Sequence, residues 1–440
     1  MALVKVSVGL KLQKTGREII MKKGFIAILV LSGILVFAGI VQAASIEFWT
    51  APNPYQEKFW SEVVGEWNEM HPDKQIDWKV IPAGNSSEEV ILTALATGTG
   101  PDLSTNIFTG FAAQLIENDY LVAFNKFEGF EEVLETRAME NIVKDGWGYE
   151  GNYYVLPLYT NPMAYWWNKN ILNELGVEVP RTYEDVLEIA AMYNDPAQDK
   201  YTLLTRYLPS WWDRWYDFGM SYYAATEGKP YWDTEKVLFN DQYGLAYMEF
   251  IATLVENKYS PLENYQDPLQ KGIVLASIEG PWNISYTEET YPDYEYIIAP
   301  PLVPADYPED KPIYTFADTK GVVMLTKDKK KQEIAWEFMQ WYFSDIKHDV
   351  RWLELTNMLP SREDVLDRAD FQAYLAEHTN LAEYAKLLAY SVPPALNSKT
   401  IELQTRLNEV LWEPVIYGKK TPEKALNDAE KALNSIIQSY

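Results

Sequence analysis

Two hydrophobic periodicities alternate along the chain after residue 43. Residues 45–49 (SIEFW) and 75–81 (QIDWKVI) alternate apolar and polar side chains, which predicts two strands. Between these segments, apolar and aromatic residues recur every four positions from Tyr55 to Trp67, which places them on one face of a helix. The pattern therefore predicts a strand, a helix and a second strand in succession.

The next segment continues this alternation. Ser86 and Glu89 have the spacing of a capping box and predict the start of a second helix. Gly98 ends that helix, and a third strand begins at Asp102. The order β-α-β-α-β predicts an α/β fold in which helices flank a mainly parallel sheet.

The rest of the chain carries weaker but similar patterns. Strands are predicted at residues 153–158, 164–167 and 321–325, and helices at 330–343 and from Thr421 onward, where Pro422 follows as the first helical residue. Residues 195–315 are rich in proline and aromatic side chains and predict an irregular middle section.

The N-terminal residues have the pattern of an export signal. Lysines at 22 and 23 precede an uncharged apolar run, and the small residues of Val41-Gln42-Ala43 follow it. We predict a signal peptide within residues 1–43, cleaved before Ala44, with residues 1–20 as an extension from an early start codon. The alternative is an uncleaved membrane anchor, since the uncharged run is long enough to span a bilayer. Either way we expect an exported protein, periplasmic or in the cell envelope or outside the cell.

Composition excludes several classes of function. The 440 residues contain 38 Lys and Arg against 64 Asp and Glu, a net charge of −26, which argues against a nucleic-acid partner. Cysteine is absent and there are three histidines, so thiolate chemistry is excluded and a histidine metal site or catalytic triad is disfavoured. We expect no metal, no cofactor and no catalytic residue. A pair of carboxylates for glycoside hydrolysis stays open, because acidic residues are abundant.

Aromatic residues make up 14% of the chain, with 16 Trp and 31 Tyr. Residues 211–217 (WWDRWYD) concentrate them, and Trp211, Trp212 and Trp215 cannot all face one core. The flat apolar face of an indole can stack on the C–H face of a pyranose ring. Neighbouring Asp213 and Arg214 can bond the hydroxyls at the rim of that ring. The segment therefore indicates a sugar contact, although core packing is an equal alternative for the cluster taken alone.

Several segments resemble extracellular solute-binding proteins of carbohydrate ABC transporters, the maltose-binding-protein-like family 1. They occur in the family's order across the chain from about residue 44 to 440: residues 93–103 (TALATGTGPDL), 156–175 (LPLYTNPMAYWWNKNILNEL), 179–185 (VPRTYED), 279–282 (EGPW), 315–327, 335–338 (AWEF) and 359–362 (LPSR). The resemblance implies a two-lobed periplasmic-binding-protein-like fold of type II, each lobe a mainly parallel sheet flanked by helices. Lobe I would comprise residues 44–158 and 318–368, and lobe II residues 162–314 and 370–440, with the ligand cleft between the lobes.

The resemblance also implies which residues contact the ligand. Trp282 matches the tryptophan that stacks on the sugar, and Asn161 lies where maltose-binding protein has a cleft carboxylate. With the aromatic segment, the candidate ligand-binding residues are Trp49, Asn53, Asp102, Asn106, Thr109, Asn161, Trp211, Trp212, Asp213, Arg214, Trp215, Trp282, Phe316, Asp318 and Thr319.

The implied function is capture of a sugar or oligosaccharide and its delivery to an ABC importer. The implied partners are the carbohydrate and the permease subunits, with the protein itself a monomer and not an enzyme. Two alternatives remain: a secreted glycoside hydrolase, and a binding protein for a non-sugar solute such as a polyol or glycerol phosphate. A phosphate ligand would favour a basic cleft, which the net acidity disfavours.

Overall fold

The computed structural model describes residues 44–439. The predicted signal peptide and its extension lie outside the described residues. The strands are β1 (Ala44–Thr50), β2 (Lys74–Val80), β3 (Leu103–Ile107), β4 (Gly148–Tyr149), β5 (Asn152–Tyr153), β6 (Val155–Pro162), β7 (Ala164–Asn168), β8 (Tyr201–Leu203), β9 (Val274–Glu279), β10 (Tyr296–Ala299), β11 (Thr315–Met324) and β12 (Ser391–Val392).

Helices cover both sheets. They are α1 (Pro54–Met70), α2 (Ser87–Ala96), α3 (Thr109–Glu117), α4 (Phe130–Thr136), α5 (Glu140–Gly146), α6 (Lys169–Leu175), α7 (Tyr183–Tyr193), α8 (Met220–Ala225), α9 (Gln242–Glu256), α10 (Asn283–Thr290), α11 (Lys329–Ser344), α12 (Ile346–Thr356), α13 (Ala369–Glu377), α14 (Thr379–Leu387), α15 (Thr400–Leu407), α16 (Glu413–Ile416) and α17 (Pro422–Ile437). None of the helices within residues 44–439 has the length and apolar character that a membrane crossing needs.

The first sheet confirms the doubly wound pattern predicted for the N-terminal part. β1 pairs in parallel with both β2 and β3, and the sheet has the order β12-β11-β3-β1-β2 with β6 on β11. The predicted capping box of α2 forms only in part. The Ser86 hydroxyl accepts the Glu89 N–H at 3.2 Å, but the Glu89 carboxylate accepts from the Asn85 amide at 2.9 Å instead of from the cap residue.

The second sheet differs from the mainly parallel arrangement expected for each lobe. Its order is β10-β7-β9-β8, and β7 runs antiparallel to both β9 and β10, while only β8 and β9 are parallel. The reason is the path of the chain. β7 follows β6 after the single residue Met163, which leaves no room for the chain to reverse. The direction of β7 in the second sheet is therefore the direction in which β6 leaves the first sheet.

The middle section is more regular than predicted. Residues 195–315 contain α9, which spans 15 residues, as well as α8, α10 and three of the four strands of the second sheet, β8, β9 and β10. Tyr247, Phe250, Ile251 and Leu254 form the buried side of α9. The prediction of irregular structure is wrong for this segment, because proline and glycine on both sides obscure the helical spacing of its aromatic side chains.

The two sheets are joined where β6–β7 and β11 lie side by side. The Met163 N–H donates to the Phe316 carbonyl at 2.9 Å, and the Thr315 hydroxyl donates to the Met163 carbonyl at 2.6 Å. The core beside the first sheet includes Phe48, Trp60 and Trp352. We call β6 and β11 the crossing strands. They are held by both backbone and side-chain hydrogen bonds, which fix the register of their side chains.

Candidate functional site

The crossing strands β6 and β11 present different side chains on their two faces. Along β11, Phe316, Asp318 and Lys320 are two residues apart and share one face, because side chains alternate along a strand. Asn161 of β6 is paired directly with Asp318, so it belongs to the same face. We call this the front face. Thr160 and Thr319, which are paired with each other, belong to the rear face.

Polar groups on the front face are buried but make few hydrogen bonds to other groups of the protein. The Asn161 side chain is 0% exposed; its Oδ1 accepts the Leu359 N–H at 3.1 Å, whereas its Nδ2 has no partner among the described residues. Asp318 is 5% exposed, and its contact with a cation is to Lys320 Nζ at 3.9 Å, too long for a hydrogen bond. Burial raises the pKa of Asp318 above its ordinary value, and Lys320 opposes that rise.

Aromatic rings line the approach to the front face. Neighbouring ring centroids lie 5.0 Å apart for Phe108 and Trp211, 5.1 Å for Trp211 and Trp215, and 5.2 Å for Trp215 and Phe316. The row continues from Phe316 to Tyr216 at 5.9 Å and from Tyr216 to Trp282 at 6.3 Å. We call these rings the aromatic row. Phe108 follows a strand of the first sheet, while Trp211 and Trp282 flank strands of the second, so both sheets contribute.

Tyr216 connects the aromatic row to the charged pair. Burial and the nearby Asp318 carboxylate raise the pKa of Tyr216, whereas the nearby Lys320 lowers it. Tyr216 and Trp282 are half-buried, so their rings keep accessible surface. The front face therefore combines flat apolar rings with buried donors and acceptors, which is the chemistry that binds a hydroxylated ring.

The side chains of residues 211–217 lie in three different environments: the protein surface, the aromatic row and the protein interior. Trp212 is 37% exposed and meets Trp211 edge-on at 5.7 Å. Arg214 is 0% exposed, with its guanidinium 4.0 Å from the Trp412 ring centroid. Asp213 lies 3.7 Å from Arg206, and both Asp213 and Arg214 are buried away from solvent. A local π-helix, Trp215–Gly219, follows these residues. Their predicted role as sugar contacts stays a prediction.

The remaining predicted residues surround the ends of β1 and β3 or lie on the rear face. Asn53 caps α1 by accepting from the Tyr55 and Gln56 N–H groups, both at 3.1 Å. Asp102 accepts from Lys331 at 2.8 Å and from the Glu47 N–H at 2.8 Å, bonds that position the β3 end of the sheet. Trp49 is 6% exposed and donates to Glu47.

Asn106 in β3 and Thr109 at the start of α3 have features suited to a ligand. Asn106 has a left-handed backbone, φ 64°, and its amide donates to the Ser87 hydroxyl at 2.9 Å. The Thr109 hydroxyl is buried and has no partner within the described part of the chain. Thr319, by contrast, donates to the Tyr159 carbonyl at 3.0 Å on the rear face. Whether each of these contacts a ligand stays a prediction.

Sequence reasoning missed three residues of this site: Phe108, Tyr216 and Lys320. Lys320 could have been found, because it is two residues beyond Asp318 in a strand and must share its face. Tyr216 lies within the aromatic segment but was not singled out. No sequence signal marks Phe108, which joins the aromatic row only because of how the two sheets are packed.

A second buried ionic cluster lies next to β6. Arg137 donates to Asp349 through Nε at 3.0 Å and Nη2 at 2.8 Å, and Arg362 Nη1 donates to Asp349 at 3.0 Å. Arg137 also donates to the backbone carbonyls of Pro157 and Leu158 in β6. We call Arg137, Asp349 and Arg362 the arginine cluster. It joins β6 to α12 and has its hydrogen bonds satisfied within the protein.

Comparison with known proteins identifies one family model and two curated relatives that are similar to this chain. The family model described as bacterial extracellular solute-binding protein matches residues 62–380. A maltotriose-binding protein of Pyrococcus abyssi is 22% identical over 318 residues, which is 68% of this chain but 62% of that protein, less than two thirds of its length. An arabinooligosaccharide-binding protein of Halalkalibacterium halodurans is 23% identical over 435 residues, 90% of each chain.

A solved structure supports the same assignment. The crystal structure of an uncharacterized protein of Listeria monocytogenes EGD-e matches with a TM-score of 0.77 and 33% sequence identity, over 90% of this chain and 100% of that one. The fold is the two-lobed α/β fold seen in structures of periplasmic sugar-binding proteins. Because the family model matches residues 62–380, more than half of the sequence, the chain belongs to the bacterial extracellular solute-binding proteins.

Proposed function

We propose that this protein captures a sugar or oligosaccharide outside the cytoplasm and delivers it to an ABC importer. The observation that carries the proposal is the front face: the buried Asn161 amide with an unused donor and the buried Asp318 carboxylate lie beside the aromatic row. An unsatisfied buried polar group costs about 1–3 kcal/mol. A ligand that brings hydroxyls to these groups recovers that cost when it binds.

The relatives support a carbohydrate over other solutes. Two of them are named for maltotriose and for arabinooligosaccharides. A phosphate or phosphate ester would need an excess of positive charge, yet Lys320 faces Asp318 at 3.9 Å and Arg206 faces Asp213 at 3.7 Å. These paired charges favour a neutral ligand over glycerol phosphate.

In the proposed mechanism, lobe I (residues 44–158 and 318–368) and lobe II (162–314 and 370–440) close around the sugar about the crossing strands. Because rings from both sheets belong to the aromatic row, the sugar contacts both lobes in the closed state and stabilises it. The permease subunits then distinguish closed from open protein. No bond of the ligand is made or broken. We further propose that the chain is exported by its N-terminal signal and acts as a monomer.

A thermal-shift screen of residues 44–440 against neutral di- and trisaccharides tests the proposal. A bound sugar at about 100 times its dissociation constant raises the free energy of unfolding by about 2.7 kcal/mol, which is readily measured. No shift with any sugar would contradict the proposal. Turnover of glycosides that is lost on substituting a single carboxylate would favour the hydrolase alternative.

Trp282→Ala sharpens this test. Removing the ring should weaken sugar binding by about 1–3 kcal/mol, as for aromatic stacking on other flat ligands. Isothermal titration of wild type and variant measures the change. Trp341→Ala is the matched control, because Trp341 is also half-buried but packs on Trp67 and His348 at the outer side of the first sheet. Equal losses in the two variants would remove Trp282 from the binding site.

A further inference from the structure

We propose that Asp318 and Lys320 act as one specificity element, which recognises two neighbouring hydroxyls of a single neutral sugar ring held beside Tyr216. The inference rests on the proposed function. It adds the residues that distinguish sugars by the arrangement of their hydroxyls and that disfavour sugars carrying an acidic group. Lys320 has not been implicated by the sequence motifs.

Placement is the first argument. Asp318 and Lys320 share the front face with Phe316, and both are close enough to Tyr216 to influence its hydroxyl. Tyr216 in turn contacts Trp282. A ring that lies against the Tyr216–Trp282 end of the aromatic row therefore has its edge toward the charged pair.

Unused hydrogen-bonding capacity is the second argument. Within residues 44–439, neither the Asp318 carboxylate nor the Lys320 ammonium makes a hydrogen bond to a protein atom, and their mutual distance is 3.9 Å. Asn161, paired with Asp318 across the strands, keeps its buried Nδ2 unpartnered. A structural ion pair at 5% exposure would be expected to close to hydrogen-bond distance, because its desolvation is otherwise poorly compensated. The spacing of this pair instead leaves both groups available.

The chemistry of the pair defines what it recognises. A carboxylate accepts hydrogen bonds and an ammonium donates them, and each hydroxyl can do both. Two neighbouring hydroxyls can therefore bond one group each, with charge-assisted bonds that are stronger than neutral ones. A ring that carries a carboxylate would place two carboxylates beside the single ammonium of Lys320, and the excess negative charge is unfavourable in a buried site. The element thus favours neutral rings over acidic ones.

The experiment measures affinity by isothermal titration for wild type, Asp318→Asn, Lys320→Met and the double variant. The probe is whichever of maltotriose, arabinotriose, cellotriose and xylotriose binds wild type most tightly, and trigalacturonic acid is the acidic probe. We expect each single variant to bind the neutral probe at least tenfold more weakly. The double variant should lose far less than the product of the two single losses, because both residues act on the same hydroxyl pair.

Lys169→Met is the matched control, since Lys169 pairs with Glu295 at 2.8 Å on the exposed edge of the second sheet and should leave affinity unchanged. Unchanged affinity in Asp318→Asn and Lys320→Met, with folding confirmed by circular dichroism, would overturn the inference while leaving the proposed function intact. Tighter binding of trigalacturonic acid than of every neutral probe would also overturn it. Absence of binding to all five probes would count against the proposed function itself.

Discussion

Two ionic groups beside the crossing strands differ in how many hydrogen bonds they make within the protein. In the arginine cluster, Asp349 accepts hydrogen bonds from both Arg137 and Arg362, all at 3.2 Å or less. In the front-face pair, Asp318 and Lys320 are 3.9 Å apart without a hydrogen bond. Asp349 and Asp318 are similarly buried, at 3% and 5% exposure, but 24% of the Lys320 side chain is exposed whereas Arg137 and Arg362 are buried. We therefore expect the first group to serve the fold, and the difference supports the proposal that the second serves a ligand.

The physical reason is the cost of removing charge from water. A buried ion pair stabilises a fold only when close geometry and further hydrogen bonds offset desolvation. The arginine cluster meets both conditions, and through the Pro157 and Leu158 carbonyls it anchors β6 just before the chain crosses to the second sheet. The front-face pair meets neither condition by itself, so we expect it to contribute little to stability.

The largest effect is expected from Asp349→Asn. Removing this carboxylate charge leaves the buried Arg137 guanidinium without a carboxylate partner, whereas Arg362 keeps its bonds to Asp364 at 2.8 and 2.9 Å. Breaking a buried pair typically costs about 3–5 kcal/mol, and the free energy of unfolding from urea titration should fall by that amount. The affinity of the remaining folded protein for sugar should change little, because the ion pairs of Asp349 within residues 44–439 are with Arg137 and Arg362 and with none of the candidate ligand-binding residues.

Asp318→Asn is the counterpart of this variant on the front face. Because Lys320 is partly exposed and lies 3.9 Å from Asp318, this variant should leave the free energy of unfolding within about 1 kcal/mol of wild type and reduce sugar affinity instead. If the two variants destabilised the protein equally, the distinction between a structural and a ligand-facing ion pair would not hold.

A third buried pair, Arg214 and Asp217 at 3.5 Å, gives an intermediate effect that depends on pH. Burial raises the pKa of Asp217 to about 7, against the opposing charges of Arg214 and Arg206. An aspartate in the unfolded chain titrates near about 3.9. Between these values the folded protein holds a proton that the unfolded chain has lost, so stability should fall as pH rises from about 4 to about 7 and then level off.

Urea unfolding of wild type and Asp217→Asn at several pH values measures this effect. The wild type should lose on the order of 1 kcal/mol more than the variant between about pH 5 and pH 7. The variant removes the titrating group and keeps a similar size, so it isolates the contribution of Asp217. Identical pH profiles would show that the carboxyl titrates below this range in the folded protein.

The smallest effect on stability is expected from the double variant Asp318→Leu with Lys320→Met. Replacing a buried ion pair by apolar residues of similar volume is often neutral or stabilising. The free energy of unfolding should therefore stay within about 1 kcal/mol of wild type or rise, while titration with the neutral trisaccharide shows loss of binding. Strong destabilisation would mean that the pair supports the crossing strands after all.

The local sequence pattern was sufficient to predict those helices and strands that have one buried face and one exposed face. The apolar positions every four residues from Tyr55 to Trp67 form the buried face of α1. Thr421 caps α17 by accepting the Lys424 N–H, with Pro422 as its first residue, as predicted. The residues of α9 were not recognised as a helix, because their aromatic side chains suit strands and helices equally and burial alone decides between the two.

By itself, the sequence determined the acidic character, the absence of cysteine, the first β-α-β-α-β unit and the motifs of the solute-binding family, since each depends on composition or on neighbouring residues. Tertiary structure decided which side chains meet. Phe108 joins Trp211 from a distant part of the chain, and Arg214 turns to Trp412 while Tyr216 turns to Phe316. It also decided that the Asn161 amide and the Asp318–Lys320 pair stay unsatisfied while the arginine cluster is fully bonded. Such contacts depend on strand register and on the packing of two sheets, which no local pattern specifies.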